Sequence, residues 1–174
     1  MVIDCHYHLE ERVLDKAGLL QEMDRSGVEK AALMGSMIAP FPEPPRVLLR
    51  ILQAILENRR LRKLGQILVA NFTRDGDIKI LGKPFRIVTD PDNKTVFDAV
   101  RAFPSRFLGW VFVNPRGRVD QATELRRYQD EPGFIGVKAH PFWHRFAPVE
   151  LLPVARVLAD LKKPLLIHCG FGEE

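Results

Sequence analysis

The five histidines of the chain fall into three short clusters, and each cluster lies where an apolar strand is predicted to end. A parallel α/β barrel brings the carboxyl ends of its strands together at one face, and its chemistry is placed there. Imidazole nitrogens grouped in this way are good ligands for zinc and related divalent metals. The pattern therefore indicates a metal site in an enzyme, and the three clusters are Asp4 to His8, Lys138 to His144 and Leu166 to Gly170.

The first cluster has two histidines, His6 and His8, separated by one residue at the end of the first strand. Because alternate side chains of a strand share a face, Asp4, His6 and His8 are expected to point the same way, so that both imidazoles reach one ion. Asp4 is then placed to orient one of the two rings. The other interpretation is a polar strand end without a metal, since so short a motif also occurs by chance.

The other two clusters add ligands and charge. His168 ends a nearly all-apolar strand, and a buried imidazole without a partner is costly, so a metal ion would satisfy it. Lys138 and His140 share one face of the strand that comes before. His144 and Arg145 follow in the loop above that strand, where a role in the site and a place on the surface are equally open.

Outside residues 36–92, strand-like and helix-like stretches alternate along the chain. The predicted strands are 2–5, 28–34, 107–113, 134–139 and 164–168, and the predicted helices are 9–25, 119–129 and 148–161. Gly27 is expected to end the first helix. The repeated order of strand and helix indicates a parallel sheet, and polar residues at one set of strand ends favour a barrel.

Residues 36–92 form an interruption after the second strand, inserted in what we expect to be a single domain, 1–174. Four prolines between residues 40 and 45 give it a stiff start, and a basic amphipathic helix is predicted over 46–69. Residues 78–81 and 84–88 favour a small hairpin around Gly82 and Lys83. Two interpretations stay open: a lid or subunit contact at the barrel mouth, and a packed surface excursion.

Composition excludes several classes of protein. The chain has 174 residues, of which 46% are apolar and 28% charged, with a formal net charge of +4 and the two signs largely interspersed. This is not the pattern of a dedicated nucleic-acid binder, although Arg59 to Lys63 form a short basic run. Two cysteines do not make a disulfide framework, and no apolar run is long enough to span a membrane. We therefore expect a cytoplasmic protein that binds a small-molecule substrate.

Four segments together resemble the amidohydrolase superfamily, and most closely its branch of metal-dependent hydrolases and related decarboxylases. They are VIDCHYHL at 2–9, RFLGWVFVNP at 106–115, GFIGVKAHP at 133–141 and PLLIHCG at 164–170. The resemblance implies a (β/α)8 TIM barrel with one or two divalent metal ions, of which zinc is the first choice. It also implies that His6, His8 and His168 are metal ligands.

The resemblance leaves two roles open for Lys138. In some members of the superfamily a lysine at the end of the fourth strand is carboxylated and bridges two metals, whereas in others it is unmodified. An unmodified ammonium beside a metal needs an anion, so we favour a catalytic role in holding a substrate carboxylate. His140 is expected to line the pocket as a second catalytic residue, and Asp4, His144 and Arg145 to support the ligands or the substrate.

The expected reaction is hydrolysis. A divalent metal lowers the pKa of a bound water to about 7 and polarises a carbonyl, so an amide, ester or lactone can be attacked. The alternative reaction is nonoxidative decarboxylation of an unsaturated carboxylic acid, which related proteins carry out. The alternative of another class is a catalytically inert barrel fragment or interaction module.

Only about five of the eight strands of a full barrel are predicted, so the barrel is expected to be incomplete. The later histidine and the aspartate of the eighth strand, which the family uses as ligand and proton acceptor, are not in the sequence after His168. We therefore expect further polypeptide to complete the fold, either from a longer form of this chain, from a homo-oligomer or from a separate completing chain.

Overall fold

The computed structural model describes residues 1–11, 13–36, 46–58, 60–61, 71–72, 78–80, 83–85 and 89–169. The chain divides into two compact units. The first, here called the barrel unit, consists of residues 1–37 and 89–174, and the second, the inserted unit, consists of residues 38–88.

The barrel unit is built on a sheet of five parallel strands in the order β1-β2-β6-β7-β8. The strands are β1 (Ile3–Leu9), β2 (Lys30–Gly35), β6 (Phe107–Val113), β7 (Phe134–Ala139) and β8 (Leu165–Ile167). The β2, β6 and β7 strands in the middle of the sheet are buried almost throughout. This is the pattern of a parallel sheet that is covered on both faces.

Helices connect these strands. They are α1 (Lys16–Ser26), α3 (Asn93–Ala102), α4 (Gln121–Tyr128), the short α5 (Pro141–His144), a 3-10 turn (Pro148–Leu151) and α6 (Leu152–Leu161). An aspartate side chain caps the start of α1, α3 and α4, and it accepts the backbone N–H three residues later in each case. Such caps satisfy N–H groups that the first helical turn leaves without a partner. Among the described residues no helix is both long and apolar enough to cross a membrane.

The core lies between the sheet and these helices. Fully buried side chains from α3 pack on β6, and Phe97 also stacks on Tyr128 of α4 with ring centroids 4.6 Å apart. Leu125, Val154 and Leu158 extend the same core along α4 and α6. The burial of this apolar surface holds the carboxyl ends of the strands in fixed relative positions.

The inserted unit contains α2 (Arg46–Glu57) and an antiparallel sheet of three short strands. These are β3 (Asn71–Phe72), β4 (Ile78–Ile80) and β5 (Lys83–Phe85). β4 and β5 pair as the predicted hairpin, with Ile80 opposite Lys83. The part of the predicted basic helix after residue 61 lies outside the described residues.

The structure corrects the sequence prediction at the start of the barrel unit. The first helix was predicted from Leu9, but β1 runs through Leu9 and α1 begins at Lys16 after the Asp15 cap. The predicted end is confirmed, because Gly27 adopts the left-handed conformation with φ of 70° and donates its N–H to the last turn. Helix α3 and the short α5 were not predicted.

Candidate metal centre

His6 and His8 meet at the end of β1. Their Nε2 atoms are 3.3 Å apart, and the ring centroids are separated by 5.3 Å with an angle of 50° between the planes. The pairing of β1 with β2 is irregular here, because Asp4 lies opposite Ala31 whereas Tyr7 lies opposite Leu33. One extra residue is thus accommodated in β1, as in a β-bulge. Despite this irregularity the two imidazoles converge, as the alternation of the strand predicts.

The ring of His8 is fixed by a backbone carbonyl. Its Nδ1 lies 3.1 Å from the oxygen of Gly35, the last residue of β2. A carbonyl oxygen only accepts hydrogen bonds, so Nδ1 carries the proton and Nε2 keeps its lone pair. His8 therefore presents a bare nitrogen toward His6, in the tautomer that a metal ligand requires.

Asp4 lies beside His6 but bonds its main chain. One carboxylate oxygen accepts the backbone N–H of His6 at 2.9 Å, so the carboxylate is engaged at the bulge of β1. The ring orientation that the sequence analysis expected from Asp4 comes instead from Gly35, at least for His8. The negative charge of Asp4 also raises the pKa of His6, in opposition to the effect of burial.

Three parallel rings lie beside this pair, at the ends of β7 and β8. His140 stacks between His168 and Trp143, with centroid distances of 4.0 Å and 4.1 Å and interplanar angles of 13° and 7°. His168 also meets His6 edge to face at 6.5 Å. The fold thus brings together four of the five histidines, although the ring of His168 packs flat on His140.

The backbone of α5 sets the tautomer of His140. The Nδ1 atom of His140 accepts the N–H of Trp143 at 3.2 Å, and this bond caps the start of the helix. Because Nδ1 accepts, a neutral His140 carries its proton on Nε2. Burial, reinforced by the nearby positive groups, lowers the pKa of His140 to about 3, so the neutral form is the resting state near pH 7. His140 is therefore a hydrogen-bond donor through Nε2.

Lys138 is buried at the end of β7, with 1% of its surface exposed. It forms no hydrogen bond or ion pair with any residue that the structure describes. Burial lowers the pKa of Lys138, and the nearby Cys169 opposes this effect. A buried cation without an anionic partner is unfavourable, and an anion bound beside Lys138 would reduce this cost.

His144 is buried, whereas the neighbouring Arg145 is exposed. The ring of His144 contacts Phe112 with centroids 5.8 Å apart, and the ring of His8 lies 6.2 Å from the same Phe112 ring. A surface position is thus excluded for His144. Arg145 ends α5 in the left-handed conformation, with φ of 51°.

Electrostatics keeps the candidate ligands neutral. Burial lowers the pKa of His6, His8 and His168, and the positive charge of Lys138 lowers all three further. A neutral imidazole has a lone pair for a metal, whereas an imidazolium has none. Near neutral pH the three imidazoles are therefore mainly neutral.

A divalent ion fits the His6 and His8 pair. Two nitrogens bound to zinc at about 2.0–2.1 Å in tetrahedral geometry lie about 3.3–3.4 Å apart. The Nε2 atoms of the pair are 3.3 Å apart. Within the described ranges no three His, Cys, Asp or Glu side chains are grouped closely enough to hold an ion together. The pair therefore fits as part of a ligand set, and His168 stays a predicted ligand.

Several groups of this site were not predicted from the sequence. Gly35 acts through its carbonyl oxygen, which every residue has, so no sequence signal marks it. Phe112 and Trp143 resemble ordinary apolar core or loop residues in the sequence. Trp143 had one available signal, since it lies within the second histidine cluster.

The amidohydrolase family matches residues 82–174, which is more than half of the chain. The chain belongs to the amidohydrolase family. The resemblance seen in the four sequence segments is thus confirmed. No curated protein matches the chain.

Two solved structures are similar to this amidohydrolase chain. It is similar to 4-oxalomesaconate hydratase LigJ from Rhodopseudomonas palustris, with a TM-score of 0.52 and 14% identity, over 97% of this chain and 52% of the hydratase. It is also similar to 5-carboxyvanillate decarboxylase LigW2 from Novosphingobium aromaticivorans, which was solved with bound manganese. There the TM-score is 0.47 with 23% identity, over 92% of this chain and 34% of the decarboxylase.

The chain thus spans about half the length of the hydratase and about a third of the decarboxylase. The predicted fold class is confirmed: the barrel unit is an α/β partial barrel of the TIM type, with five parallel strands in its described residues.

Proposed function

We propose that this chain supplies part of the active site of a metal-dependent hydrolase that cleaves an amide, ester or lactone bond of a small molecule. The observation that carries the proposal is the 3.3 Å separation of the His6 and His8 Nε2 atoms, with the His8 tautomer fixed by Gly35. We propose that His6, His8 and His168 hold the ion. The ligand set also needs residues on strands outside the five described here, because a closed barrel has eight.

We propose zinc as the ion, because borderline imidazole nitrogens suit it and their spacing fits its tetrahedral geometry. When bound, such an ion acts as a Lewis acid that polarises a carbonyl and makes water a better nucleophile. The two ring nitrogens of His8 have different roles. Nδ1 bonds the Gly35 carbonyl, and Nε2 faces His6 and would bind the ion.

Lys138 and His140 are proposed to act on the substrate. Lys138 would hold a carboxylate, because its side chain is buried and its ammonium has no ion-pair partner among the described residues. His140 would donate its Nε2 proton in a hydrogen bond to a substrate oxygen, since Trp143 occupies Nδ1. A neutral donor of this kind stabilises negative charge that develops on the oxygen during attack. Carboxylation of Lys138 is the alternative for a site with two ions.

The buried ammonium of Lys138 also favours a second candidate function. A cation that holds a substrate carboxylate suits nonoxidative decarboxylation of an unsaturated acid as well as hydrolysis. Both reactions require the metal, so metal binding is tested first. The strands that complete the barrel are proposed to come from further polypeptide of the same chain, from a second copy or from another protein. The two cysteines, both free thiols, support a reducing compartment such as the cytoplasm.

The decisive experiment is calorimetric titration of the metal-free protein with Zn²⁺ and, separately, with Mn²⁺. We expect wild type to bind and H6A or H8A to lose at least about tenfold in affinity, because each removes one ligand. Tyr7→Phe is the matched control on the same strand, and its affinity should equal that of wild type. If the protein that contains the completing strands is folded by circular dichroism and binds neither ion, the chain is an inert module and the proposal is wrong.

Reaction type is then tested on protein that binds metal. Ester, lactone and amide hydrolysis and release of carbon dioxide from unsaturated acids are measured with K138M and H140N beside wild type. We expect K138M to lose activity only on substrates that carry a carboxylate. Equal loss on neutral esters would assign Lys138 to the metal rather than to the substrate.

A further inference from the structure

Asn93 is a buried polar residue whose side chain bonds both main-chain groups of Phe112. Its Oδ1 accepts the Phe112 N–H at 2.7 Å, and its Nδ2 donates to the Phe112 carbonyl at 2.9 Å. The same Nδ2 also donates to Glu124 at 3.0 Å. Asn93 is 1% exposed and is the first residue of α3. Its amide thus behaves toward Phe112 as a neighbouring strand would.

The reason lies in the sheet. The ladder between β2 and β6 ends where Leu33 pairs with Gly109, but β6 continues to Val113. Beyond this point the buried main chain of β6 needs other partners on that side, because unpaired backbone groups are costly in the interior. An asparagine amide has the same acceptor and donor as a peptide group. Asn93 therefore replaces the missing partner at Phe112.

Phe112, which Asn93 holds by two hydrogen bonds, also lies beside the candidate metal centre. Its ring is fully buried and lies 6.2 Å from the His8 ring and 5.8 Å from the His144 ring, measured between centroids. A shift of the Phe112 main chain would move the Phe112 ring, which lies beside the His8 ring. Close packing transmits such a shift, because the interior has little free space.

The start of α3 also touches the other support of His8. A Cβ atom at Gly35 would lie 3.0 Å from the carbonyl oxygen and 3.1 Å from the nitrogen of Asp92, so the two backbones are in close contact. Gly35 is the residue whose carbonyl holds the His8 Nδ1 proton. Asp92 and Asn93 thus contact both groups that orient His8, namely the Gly35 backbone and Phe112.

We propose that Asn93 is a positioning residue of the metal centre, which holds the end of β6 so that Phe112 keeps His8 on the Gly35 carbonyl. The metal part of this inference rests on the proposed function. The effect on the His8 ring is independent of the proposed function, because it is a property of the metal-free protein.

The test uses N93A and N93D in the full chain without metal. Asn93 and Phe112 line part of a cavity of about 230 Å³. Water from this cavity can replace the deleted amide, so we expect N93A to stay folded while the end of β6 becomes more mobile. We expect amide exchange of Phe112, followed by NMR, to become at least about tenfold faster in N93A. N93D keeps the oxygen that accepts the Phe112 N–H, but its second oxygen would face the Phe112 carbonyl and the Glu124 carboxylate, so exchange of this amide should be faster than in wild type here as well.

The second readout is the ¹⁵N spectrum of labelled histidine at pH 8. Wild type should show His8 with the proton on Nδ1 only, whereas N93A should show a mixture of the two tautomers. The matched control is D92A, which removes the cap of α3 but leaves the Asn93 amide in place. A generic weakening of α3 would make D92A and N93A behave alike, and that result would overturn the proposal. An unchanged His8 signal in N93A would overturn it as well.

Metal affinity separates this inference from the proposed function. If wild type binds Zn²⁺, N93A should bind about tenfold more weakly, as is typical when a group that supports a ligand is lost. If the protein that contains the completing strands binds no metal, the proposed function fails, and the two NMR readouts still decide whether Asn93 positions His8.

Discussion

Replacing Lys138 with methionine should stabilise the protein and at the same time remove its ability to hold a carboxylate. Methionine is unbranched and nearly as long, so it keeps the packing of the buried lysine stem. What it removes is the ammonium of a side chain that is 1% exposed and that has no ion-pair partner among the described residues. Taking such a charge out of water is expensive, and nothing in the described structure compensates for it fully.

The size of the gain follows from this burial. Replacement of buried ion pairs by apolar residues of similar volume is neutral or stabilises proteins by about 1–4 kcal/mol, and we expect a gain in this range for the unpaired Lys138. For a chain of this length each kcal/mol corresponds to about 2–4 °C in Tm. Burial lowers the pKa of Lys138 below its ordinary value of 10.5, so the unfolded chain binds this proton more tightly than the native protein. The free energy of unfolding of wild type must therefore rise, relative to K138M, as the pH increases through the folded pKa toward 10.5.

The assay is urea denaturation of wild type and K138M at pH 7, 9 and 10, in metal-free buffer. The advantage of the variant should be full at the lowest pH and should shrink as the native protein releases the lysine proton. Lys162→Met, at an exposed position, is the control and should change stability by less than about 0.5 kcal/mol at every pH. A variant that is less stable than wild type, or an advantage that does not depend on pH, would refute the reasoning.

Three further predictions follow from the site. Gly35→Ala should destabilise by about 1–3 kcal/mol in urea denaturation, because its Cβ would overpack the Asp92 backbone. Burial lowers the pKa of His140 to about 3, so below about pH 6.5 only the unfolded chain takes up this proton and the free energy of unfolding should fall. In urea titrations at pH 7 and pH 5, the free energy of unfolding should fall less for H140N than for wild type. Trp143→Ala should expose the stacked ring and raise the pKa of His140, as measured by NMR titration, whereas Trp143→Phe should leave it near the wild-type value.

Much of the barrel unit was predictable from local patterns. The apolar runs at 107–113 and 134–139 coincide with β6 and β7, because these strands are buried on both faces and carry an unambiguous signal. The convergence of His6 and His8 followed from the alternation of side chains along a strand. A hairpin was predicted over 78–88 and is present, but Lys83, which was expected in the turn, is the first residue of β5 and pairs with Ile80.

The rest depends on contacts between residues that are distant in the sequence. Helix α3 was missed because it follows the irregular insertion, although Asp92 caps it and Val96, Phe97 and Val100 give it an apolar face. The roles of Gly35 and Trp143 arise from main-chain atoms, which the sequence does not distinguish. The bulge in β1 is likewise set by its pairing with β2 rather than by local propensity.

The close approach of Gly35 to Asp92 bears on how this chain was assembled. The two residues flank the inserted unit, yet their backbones are in van der Waals contact within the barrel unit. An insertion whose two ends lie side by side can be lengthened, exchanged or deleted without rerouting the strands on either side. Residues 38–88 thus occupy a position between β2 and α3 where evolution, or an engineer, can substitute a different module while the barrel unit keeps its connections.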